Sequence, residues 1–351
     1  MKHEEKTLVI LVPGFPAGEE DCTCLPAQQR FIKSLSRNYP SLRLLILAFQ
    51  YPFEKKDYRW HKHRVIAFGG RNRGGLHRRL LWRRVEKKLS SLAMEYHIIG
   101  LLCFWAGECA LVGKRWAMKN DVKYICWLRG QDARKNNGYL RRLKPARDEL
   151  VAISDFTRNE LAIHHGIIAE HIIPGGSPEI NGNTLHDKRD IDILCAGSLI
   201  PLKQYHLAID LAKELRKEFP GLKMVICGKG PEEEPLQRKI KHDGLGDTVI
   251  LTGEKKHAEL AGLMKRSRLF LHPSLYEGFS GACLEALAAG ATVVSLHQPM
   301  NEPIPKWFVA KSADEMIRKT AELLYAPPDH SPVIPYPVDE SARKIMALFG
   351  L

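Results

Sequence analysis

The sequence predicts an α/β protein built from two halves, each with its own parallel sheet. Short apolar segments of strand length alternate with amphipathic helical segments along the chain, which is the pattern of a parallel sheet covered by helices. A glycine- and polar-rich break at residues 175–183 interrupts the alternation near the middle. The length of 351 residues is also that of about two domains.

The first half begins with the β-branched-rich strand of residues 8–12, which leads into a turn at Pro13 and Gly14. That turn has no G-x-G-x-x-G pattern, so nothing marks the first half as a dinucleotide binder. The remaining predicted strands of this half are 42–48, 65–68, 98–104, 124–128 and 150–153, and its longer helices are 27–36 and 76–93.

The second half repeats the alternation after the glycine-rich break. Its predicted strands are 192–197, 223–227, 249–252, 268–271 and 292–295, and its predicted helices are 204–219, 233–242, 282–289, 313–324 and 339–348. These segments predict an N-terminal domain of residues 1–180, a C-terminal domain of residues 181–330 and a final helical segment of residues 331–351.

The composition indicates a soluble, cytoplasmic protein with an uneven charge. No apolar run approaches the roughly 20 residues of a membrane span, and the first residues lack the pattern of a signal peptide. The eight cysteines are scattered, which favours reduced thiols over a disulfide framework, and Cys22 and Cys24 are interpreted as free thiols in a loop. The net charge is +13, and residues 1–185 hold 31 Lys and Arg against 18 Asp and Glu, a bias that concerns partners and not the fold.

The stretch at residues 272–290 has the local pattern of an anion-binding site. A buried strand ends at Pro273-Ser274, a glycine loop follows, and a helix begins near residue 282. Free amides and the dipole of a helix amino end favour a bound anion. Glu277 and Glu285 frame the loop, and a carboxylate near a phosphate site suggests that sugar hydroxyls are bound beside it.

The run Pro-Ser-x-x-Glu-Gly-Phe followed by Leu-Glu-Ala-x-Ala-x-Gly resembles the donor-site signature of retaining GT-B glycosyltransferases of the family 4 type. The resemblance implies two Rossmann-like domains facing a cleft, with the C-terminal helix crossing back to the first domain. It also implies transfer of a sugar from a nucleotide-sugar, without a metal or other cofactor, to a glycan or lipid-linked acceptor, as in cell-envelope or exopolysaccharide synthesis.

The resemblance assigns donor-site roles residue by residue. Lys203 matches the lysine that holds the donor diphosphate, whereas Ser198 stands where an arginine is usual. Lys203 and Glu277 are also candidate catalytic residues, with Glu277 expected to orient the donor hexose, and Glu285 is expected to bind the ribose. The other residues assigned to the donor site are Gly197, Gly228, Gly230, Glu254, Gly278, Phe279, Ser280 and Gly281.

The first half is expected to bind the acceptor, with a less distinct pattern. Asp132 lies where the family has an aspartate turn and is a candidate catalytic residue, although it fits a helix or turn cap equally well. Arg129 stands in place of the usual histidine of that turn. Glu108 is either a cleft residue or the first-turn acid of a helix, and Gly14 and Phe15 are expected to line the cleft.

Residues 71–88 combine eight Arg and Lys with interleaved apolar residues. This pattern predicts either a helix that contacts an anionic membrane from the cytoplasmic side or the solvated face of a helix packed on the core. Nucleic acid is not an expected partner, because no stacking-aromatic motif accompanies the charge. Two other functions stay open at this point, a catalytically weak or regulatory nucleotide-sugar-binding protein and a basic protein that binds lipid surfaces.

Overall fold

The computed structural model describes residues 3–21, 24–177 and 189–351, which form two compact units. Unit 1 consists of Met1–Gly176 together with Val338–Leu351, and unit 2 consists of Ser177–Pro337. The predicted domain boundary after residue 180, most of the predicted linker and Cys22 lie outside the described residues. The two halves predicted from the sequence are therefore present as two α/β units.

Within its described residues, unit 1 contains an eight-stranded sheet with strand order β3-β4-β2-β1-β5-β6-β7-β8. The strands are β1 His3–Gly14, β2 Arg43–Tyr51, β3 Lys55–Trp60, β4 His63–Phe68, β5 Tyr96–Phe104, β6 Lys123–Trp127, β7 Leu150–Ala152 and β8 His171–Ile172. The helices are α1 Pro26–Asn38, α2 Gly75–Glu95, α3 Glu108–Asn120, α4 Gly138–Leu143, α5 Asp155–His165 and, at the end of the chain, α11 Val338–Ala347.

The central strands of unit 1 are buried on both faces, as expected for a parallel sheet covered by helices. Residues 8–12 of β1 are fully buried. Their alternate side chains enter two separate cores, one beneath α2 and α3 and the other beneath α1 and α11. The sheet thereby holds the carboxyl ends of β1, β5 and β6 at one edge.

The edge strand β3 was not predicted from the sequence. It pairs antiparallel with β4, whereas the other neighbouring strands of this sheet are parallel. Its sequence is Lys-Lys-Asp-Tyr-Arg-Trp, and every residue except Trp60 is at least partly exposed. A polar edge strand lacks the apolar signal by which buried strands are recognised.

The C-terminal helix α11 packs against α1 in unit 1. Val338, Ala342, Ile345 and Met346 are buried in the core that α1 also covers. At the amino end of α11, the Asp339 carboxylate accepts hydrogen bonds from side chains of α1, namely Ser34, Arg37 and Asn38. Apolar burial and a polar cluster thus fix the last helix to the first unit.

Unit 2 contains, in its described residues, a six-stranded parallel sheet with strand order β11-β10-β9-β12-β13-β14. The strands are β9 Ile191–Ala196, β10 Met224–Cys227, β11 Val249–Leu251, β12 Ser267–His272, β13 Thr292–Ser295 and β14 Trp307–Val309. The helices are α6 Tyr205–Leu215, α7 Glu233–His242, α8 His257–Lys265, α9 Gly281–Ala288 and α10 Ala313–Tyr325. Helix α8 and strand β14 were not predicted from the sequence.

Among the described residues, no helix is both long enough and apolar enough to cross a membrane. Helix α2 has 21 residues, and one of its sides packs in the core of unit 1. The buried residues of that side are Leu81, Trp82, Val85, Leu89 and Leu92. The apolar residues that alternate with its basic residues are therefore mostly used for packing within the unit.

Candidate functional site

The loops that follow β9, β10 and β11 in unit 2 are bonded to one another through their backbones. Gly197 N donates to Cys227 O, and Gly228 N donates to Gly253 O, each at 3.0 Å. Leu199 N donates to Lys229 O at 3.0 Å. These loops lie at the carboxyl ends of parallel strands, where open α/β sheets bind their ligands. The predicted donor residues Gly197, Gly228 and Gly230 thus belong to one connected surface.

A second set of contacts fastens the loop after β12 to the 3₁₀ turn Pro201–Lys203. Leu275 N donates to Leu202 O at 3.0 Å, and the buried Ser274 hydroxyl lies within hydrogen-bond distance of Leu202 O and Tyr276 O. The Pro-Ser pair of the motif therefore has a structural role, because it brings Glu277 beside Lys203.

Lys203 and Glu277 form an ion pair with an Nζ–Oε2 distance of 2.5 Å. The same carboxylate oxygen lies 3.7 Å from Nε2 of His272, the last residue of β12. Lys203 and Glu277 are both partly exposed, whereas His272 is buried. Two of the three catalytic candidates, Lys203 and Glu277, are thus held together at the carboxyl ends of the strands, and the third, Asp132, belongs to unit 1.

The charges of this cluster fix the protonation of Glu277. Burial raises the pKa of Glu277, but the His272 contact and the positive charge of Lys203 outweigh it and lower the pKa to about 2. Burial lowers the pKa of His272 below its ordinary value, so its imidazole is neutral at physiological pH. Glu277 is therefore a carboxylate whose orientation is set by one cation and one neutral imidazole.

The sequence gives no functional signal for the two histidines of this cluster. His272 is the last residue of the motif strand, and His297 follows β13 in a segment that carries no motif. His297 is buried, and burial lowers its pKa to about 4, with smaller effects from the charges of Glu277, His272 and Lys203. Their proximity depends on the adjacency of β12 and β13 in the sheet, which neither local segment reveals.

The amino end of α9 lies directly after this cluster in the chain. Ser280 is the N-cap, and its hydroxyl accepts a hydrogen bond from Cys283 N at 3.3 Å. Phe279 is buried against Trp307 and Tyr336, so it anchors the loop and leaves only its backbone for a ligand. Gly281 is exposed as the first residue of the helix. The first-turn amides and the helix dipole make this end suited to an anion.

The remaining predicted donor residues lie on α9 and on the loop before α8. Glu285 lies one turn into α9, and its Oε2 is 3.8 Å from His257 Nδ1 at the start of α8. Ser198 and Glu254 are exposed on loops. Gly278 is buried next to Glu277. The structure thus brings Glu277 and Lys203 into contact, while Glu285 lies within ion-pair distance of His257.

In unit 1, Glu108 and Asp132 line one cavity of about 740 Å³. Glu108 is the first residue of α3, and its carboxylate accepts hydrogen bonds from Gln50 and from Trp82 Nε1. Asp132 is buried in the 3₁₀ turn Gly130–Ala133 and accepts a hydrogen bond from Arg129 N at 2.7 Å. Burial raises the pKa of Asp132 to about 7. Glu108 is thus the first-turn acid of a helix and Asp132 caps a turn, which was one of the two alternatives for each residue.

The other first-half candidates are integrated into the protein interior. The Arg129 guanidinium lies against the rings of Trp127, Phe104 and Trp105, at 4.7, 5.2 and 5.9 Å from their centres, and burial lowers its pKa to about 10. Phe15 is fully buried and packs edge-on against Trp60. The side chain of Phe15 is therefore a core element, a correction to the expectation that it lines a ligand site. Gly14 contacts Tyr51, and a Cβ added at Gly14 would lie 3.3 Å from the Cβ of Tyr51.

Comparison with known proteins places the family similarity in unit 2. The model of the family described as "Glycosyl transferases group 1" matches residues 177–321. Over 103 residues the chain is 31% identical to the 2-deoxystreptamine N-acetyl-D-glucosaminyltransferase of Niallia circulans. That alignment covers 29% of this chain and 26% of the relative, so the chain matches about a quarter of that relative's length.

Solved structures match over almost the whole chain. Anabaena HepE in complex with UDP and glucose aligns with a TM-score of 0.68 and 16% identity, covering 97% of this chain and 99% of HepE. The pneumococcal O-GlcNAc transferase GtfA in complex with UDP and GlcNAc aligns with a TM-score of 0.64 and 12% identity, covering 99% of each chain. At these identities the likeness concerns the fold.

Proposed function

We propose that this chain, which has the GT-B fold and whose residues 177–321 carry the glycosyl transferases group 1 domain, is a glycosyltransferase that uses a nucleotide-sugar donor. The observation that carries the proposal is the Lys203–Glu277 pair, held by the Ser274 contacts next to the amino end of α9. We propose a retaining, metal-independent reaction with a glycan or lipid-linked acceptor, as in envelope polysaccharide synthesis.

Each residue of the pair has a distinct role in this reaction. Lys203 supplies positive charge to the diphosphate as its bond to the sugar breaks, and the amides at the amino end of α9 bind the same group. Glu277, ionised through the physiological range, accepts hydrogen bonds from the hexose hydroxyls and so orients the sugar. Glu285 accepts hydrogen bonds from the ribose. In this scheme Lys203 and the helix supply the positive potential that a metal supplies in other transferases.

We propose a uridine diphosphate sugar as the donor, since two structural relatives are described with UDP and either glucose or GlcNAc. UDP at 100 times its dissociation constant should stabilise the protein by about 2.7 kcal/mol, which is a rise in Tm of a few degrees. We expect this shift with and without Mg²⁺, and we expect Glu285→Gln to reduce it. The measurement is a thermal-shift panel of UDP, GDP and ADP, followed by a transfer assay with UDP-glucose and UDP-GlcNAc.

The matched control is Glu234→Gln, which removes an exposed carboxylate from α7 in the same unit. It should bind UDP as the wild-type protein does. A Tm that responds to none of the nucleotides would argue for the basic lipid-binding alternative. A nucleotide response without turnover of any donor would argue for the regulatory alternative.

We also propose a peripheral contact between the basic face of α2 and anionic lipids. The apolar side of α2 is in the core, so the contact would be mainly electrostatic, through Arg79, Arg83, Arg84 and Lys87, which are exposed. Leu76 and Phe53, 69% and 52% exposed, add apolar groups on the surface. Each basic residue near an anionic membrane contributes about 1 kcal/mol.

Replacing these four basic residues with Gln should weaken binding to phosphatidylglycerol-containing liposomes by more than about tenfold. Co-sedimentation at low and high salt measures this, and the wild-type binding should fall with salt. A variant with Gln at Lys213, Lys217, Arg238 and Lys241 loses the same charge from exposed positions of unit 2 and should bind normally. Equal losses in both variants would mean that only net charge matters.

A further inference from the structure

One cavity lies at the carboxyl edge of the sheet of unit 1 and is lined by residues of that unit alone. It has a volume of about 740 Å³, within the range of pockets that hold small molecules. The end of β1, the loops after β5 and β6 and the helices α2, α3 and α4 contribute to its wall. Such an edge is where parallel α/β sheets place their ligands.

Three arginines line this cavity, each from a different segment of the chain. They are Arg78 of α2, Arg134 of the loop before α4 and Arg142 of α4. Arg78 Nη1 lies 3.4 Å from the Tyr139 hydroxyl, and the Arg142 guanidinium lies 5.4 Å from the centre of the Trp82 ring. Neither of these contacts neutralises the positive charge.

The two carboxyl groups of the same cavity already accept hydrogen bonds from groups of the protein. Glu108 accepts from Gln50 and from the Trp82 indole. Asp132 accepts from the backbone of Arg129, and burial raises its pKa to about 7, so it is only partly ionised near neutral pH. Three guanidinium groups thus face two carboxyl groups in the lining, and the resulting positive balance favours an anionic ligand.

The backbone of the cavity wall adds further donors. Trp105, which lines the cavity, has a φ of 65°, a left-handed conformation that a bulky residue rarely adopts and that is often found at functional sites. The Ala106 amide is bonded to the Asp132 carboxylate, and the wall continues through Gly107 and Glu108, where α3 begins without a side-chain cap. A side chain added at Gly107 would meet no atom within 4 Å, so the amino end of α3 is open to a ligand.

We propose that this cavity binds a phosphoryl group of the acceptor, held by Arg78, Arg134 and Arg142 at the amino end of α3. The inference rests on the proposed transferase function and specifies the chemical class of its acceptor, a phosphorylated sugar or the headgroup of a phospholipid. Arginine suits this role because its planar fork donates two parallel hydrogen bonds to phosphate oxygens.

The test measures binding of glucose 1-phosphate and of inorganic phosphate by calorimetry, with UDP present at saturation so that the donor site is filled. We expect binding to the wild-type protein, a loss of about tenfold or more for each of Arg78→Gln and Arg142→Gln, and a larger loss for the double variant. The UDP affinity, measured separately, should be unchanged. A failure of the donor proposal would appear in the UDP measurement, and a failure of this proposal would appear only in the phosphate measurement.

The controls are Arg79→Gln and Arg141→Gln, which remove exposed arginines adjacent in sequence to the two test residues but outside the cavity wall. Both should bind glucose 1-phosphate within about twofold of wild type, because a distant exposed charge is screened by salt. Equal losses in tests and controls would overturn the site. Absence of phosphate binding in the presence of UDP, or equally tight binding of galacturonate, would overturn the phosphoryl assignment.

Two further arms distinguish the sources of the phosphoryl group. Vesicles of phosphatidylcholine with and without phosphatidic acid test the lipid headgroup. Because the basic face of α2 is also proposed to bind anionic lipid, binding to phosphatidic acid that is weakened in Arg142→Gln but unchanged in Arg141→Gln assigns the cavity to a lipid. Binding of glucose 1-phosphate with the same arginine dependence, and no effect of Arg142→Gln on vesicles, assigns it to a soluble phosphorylated sugar.

Discussion

Lys203→Ala is expected to lower kcat/KM for the nucleotide-sugar by about 10²- to 10³-fold, the effect of removing one preorganised group that stabilises developing negative charge. The structure adds a second cause for the fall in kcat/KM. The substitution also removes the ammonium group that lies 2.5 Å from Oε2 of Glu277. Initial rates with the preferred donor, over a range of donor concentrations, measure the effect. A loss confined to KM would mean that Lys203 only binds the donor.

The pH dependence of Lys203→Ala tests whether the substitution acts only by removing a charge from the donor site or also by changing the ionisation of Glu277. In the wild-type protein the pKa of Glu277 is lowered to about 2, so Glu277 stays ionised throughout the range from pH 5 to 8. The stability it contributes is present above the unfolded pKa of about 4.3 and is lost only as the pH falls through the folded value. Without Lys203 the burial of Glu277 is less compensated, its pKa rises, and we expect a new loss of activity on the acid side.

Lys213→Ala is the matched control, since Lys213 forms an ion pair with Asp243 elsewhere in unit 2 and is expected to have normal kinetics. Glu277→Gln keeps the shape of the side chain but removes its charge. In a double-mutant cycle, Lys203→Ala and Glu277→Gln should be strongly non-additive, because each removes the partner of the other. Additive effects, or wild-type rates in either single variant, would contradict the assigned pair.

The donor side of the site could be predicted from the sequence because its signals are local. The strand, the glycine loop and the helix after β12 lie within one continuous segment, and their order alone predicts an anion site at the start of α9. The carboxylate and the lysine were assigned through a family resemblance, and the structure puts their charged groups in contact. What supports that contact, the Ser274 bonds to the 3₁₀ turn, joins residues about 70 positions apart and leaves no local pattern.

The acceptor side was harder to predict, because burial decides which of its side chains are available to a ligand. Arg129 occupies a turn that looks like a ligand site, yet three aromatic rings surround its guanidinium. Phe15 follows a strand end as a cleft residue would, but the unpredicted strand β3 supplies Trp60 to cover it. The cavity arginines come from α2 and from the segment between β6 and β7, which the fold of unit 1 brings together. Tertiary packing, which no sequence window contains, determines each of these outcomes.

Gly228→Ala is expected to have the largest effect on folding of the variants considered, and to abolish nucleotide binding with it. A Cβ at this position would lie 1.9 Å from Gly197 O, a backbone atom that cannot turn aside as a side chain could. To relieve the overlap, the loops after β9 and β10 must separate, which breaks the bonds that join them, Gly197 N to Cys227 O and Leu199 N to Lys229 O. We expect a loss of about 3 kcal/mol or more, or roughly 6–12 °C in Tm for a unit of this size.

Gly262→Ala provides the matched control for this prediction. Gly262 lies inside α8, where an added Cβ would meet no atom within 4 Å, so alanine should raise the stability by about 0.5–1 kcal/mol through its better helix propensity. The Tm and the UDP-induced shift of both variants are measured together. If the Gly228→Ala protein fails to fold while Gly262→Ala folds, the predicted loss of stability is confirmed, because the loss then exceeds the stability of the unit. A Gly228→Ala protein with an unchanged Tm and normal UDP binding would mean that the close approach of these two loops is not required for the site.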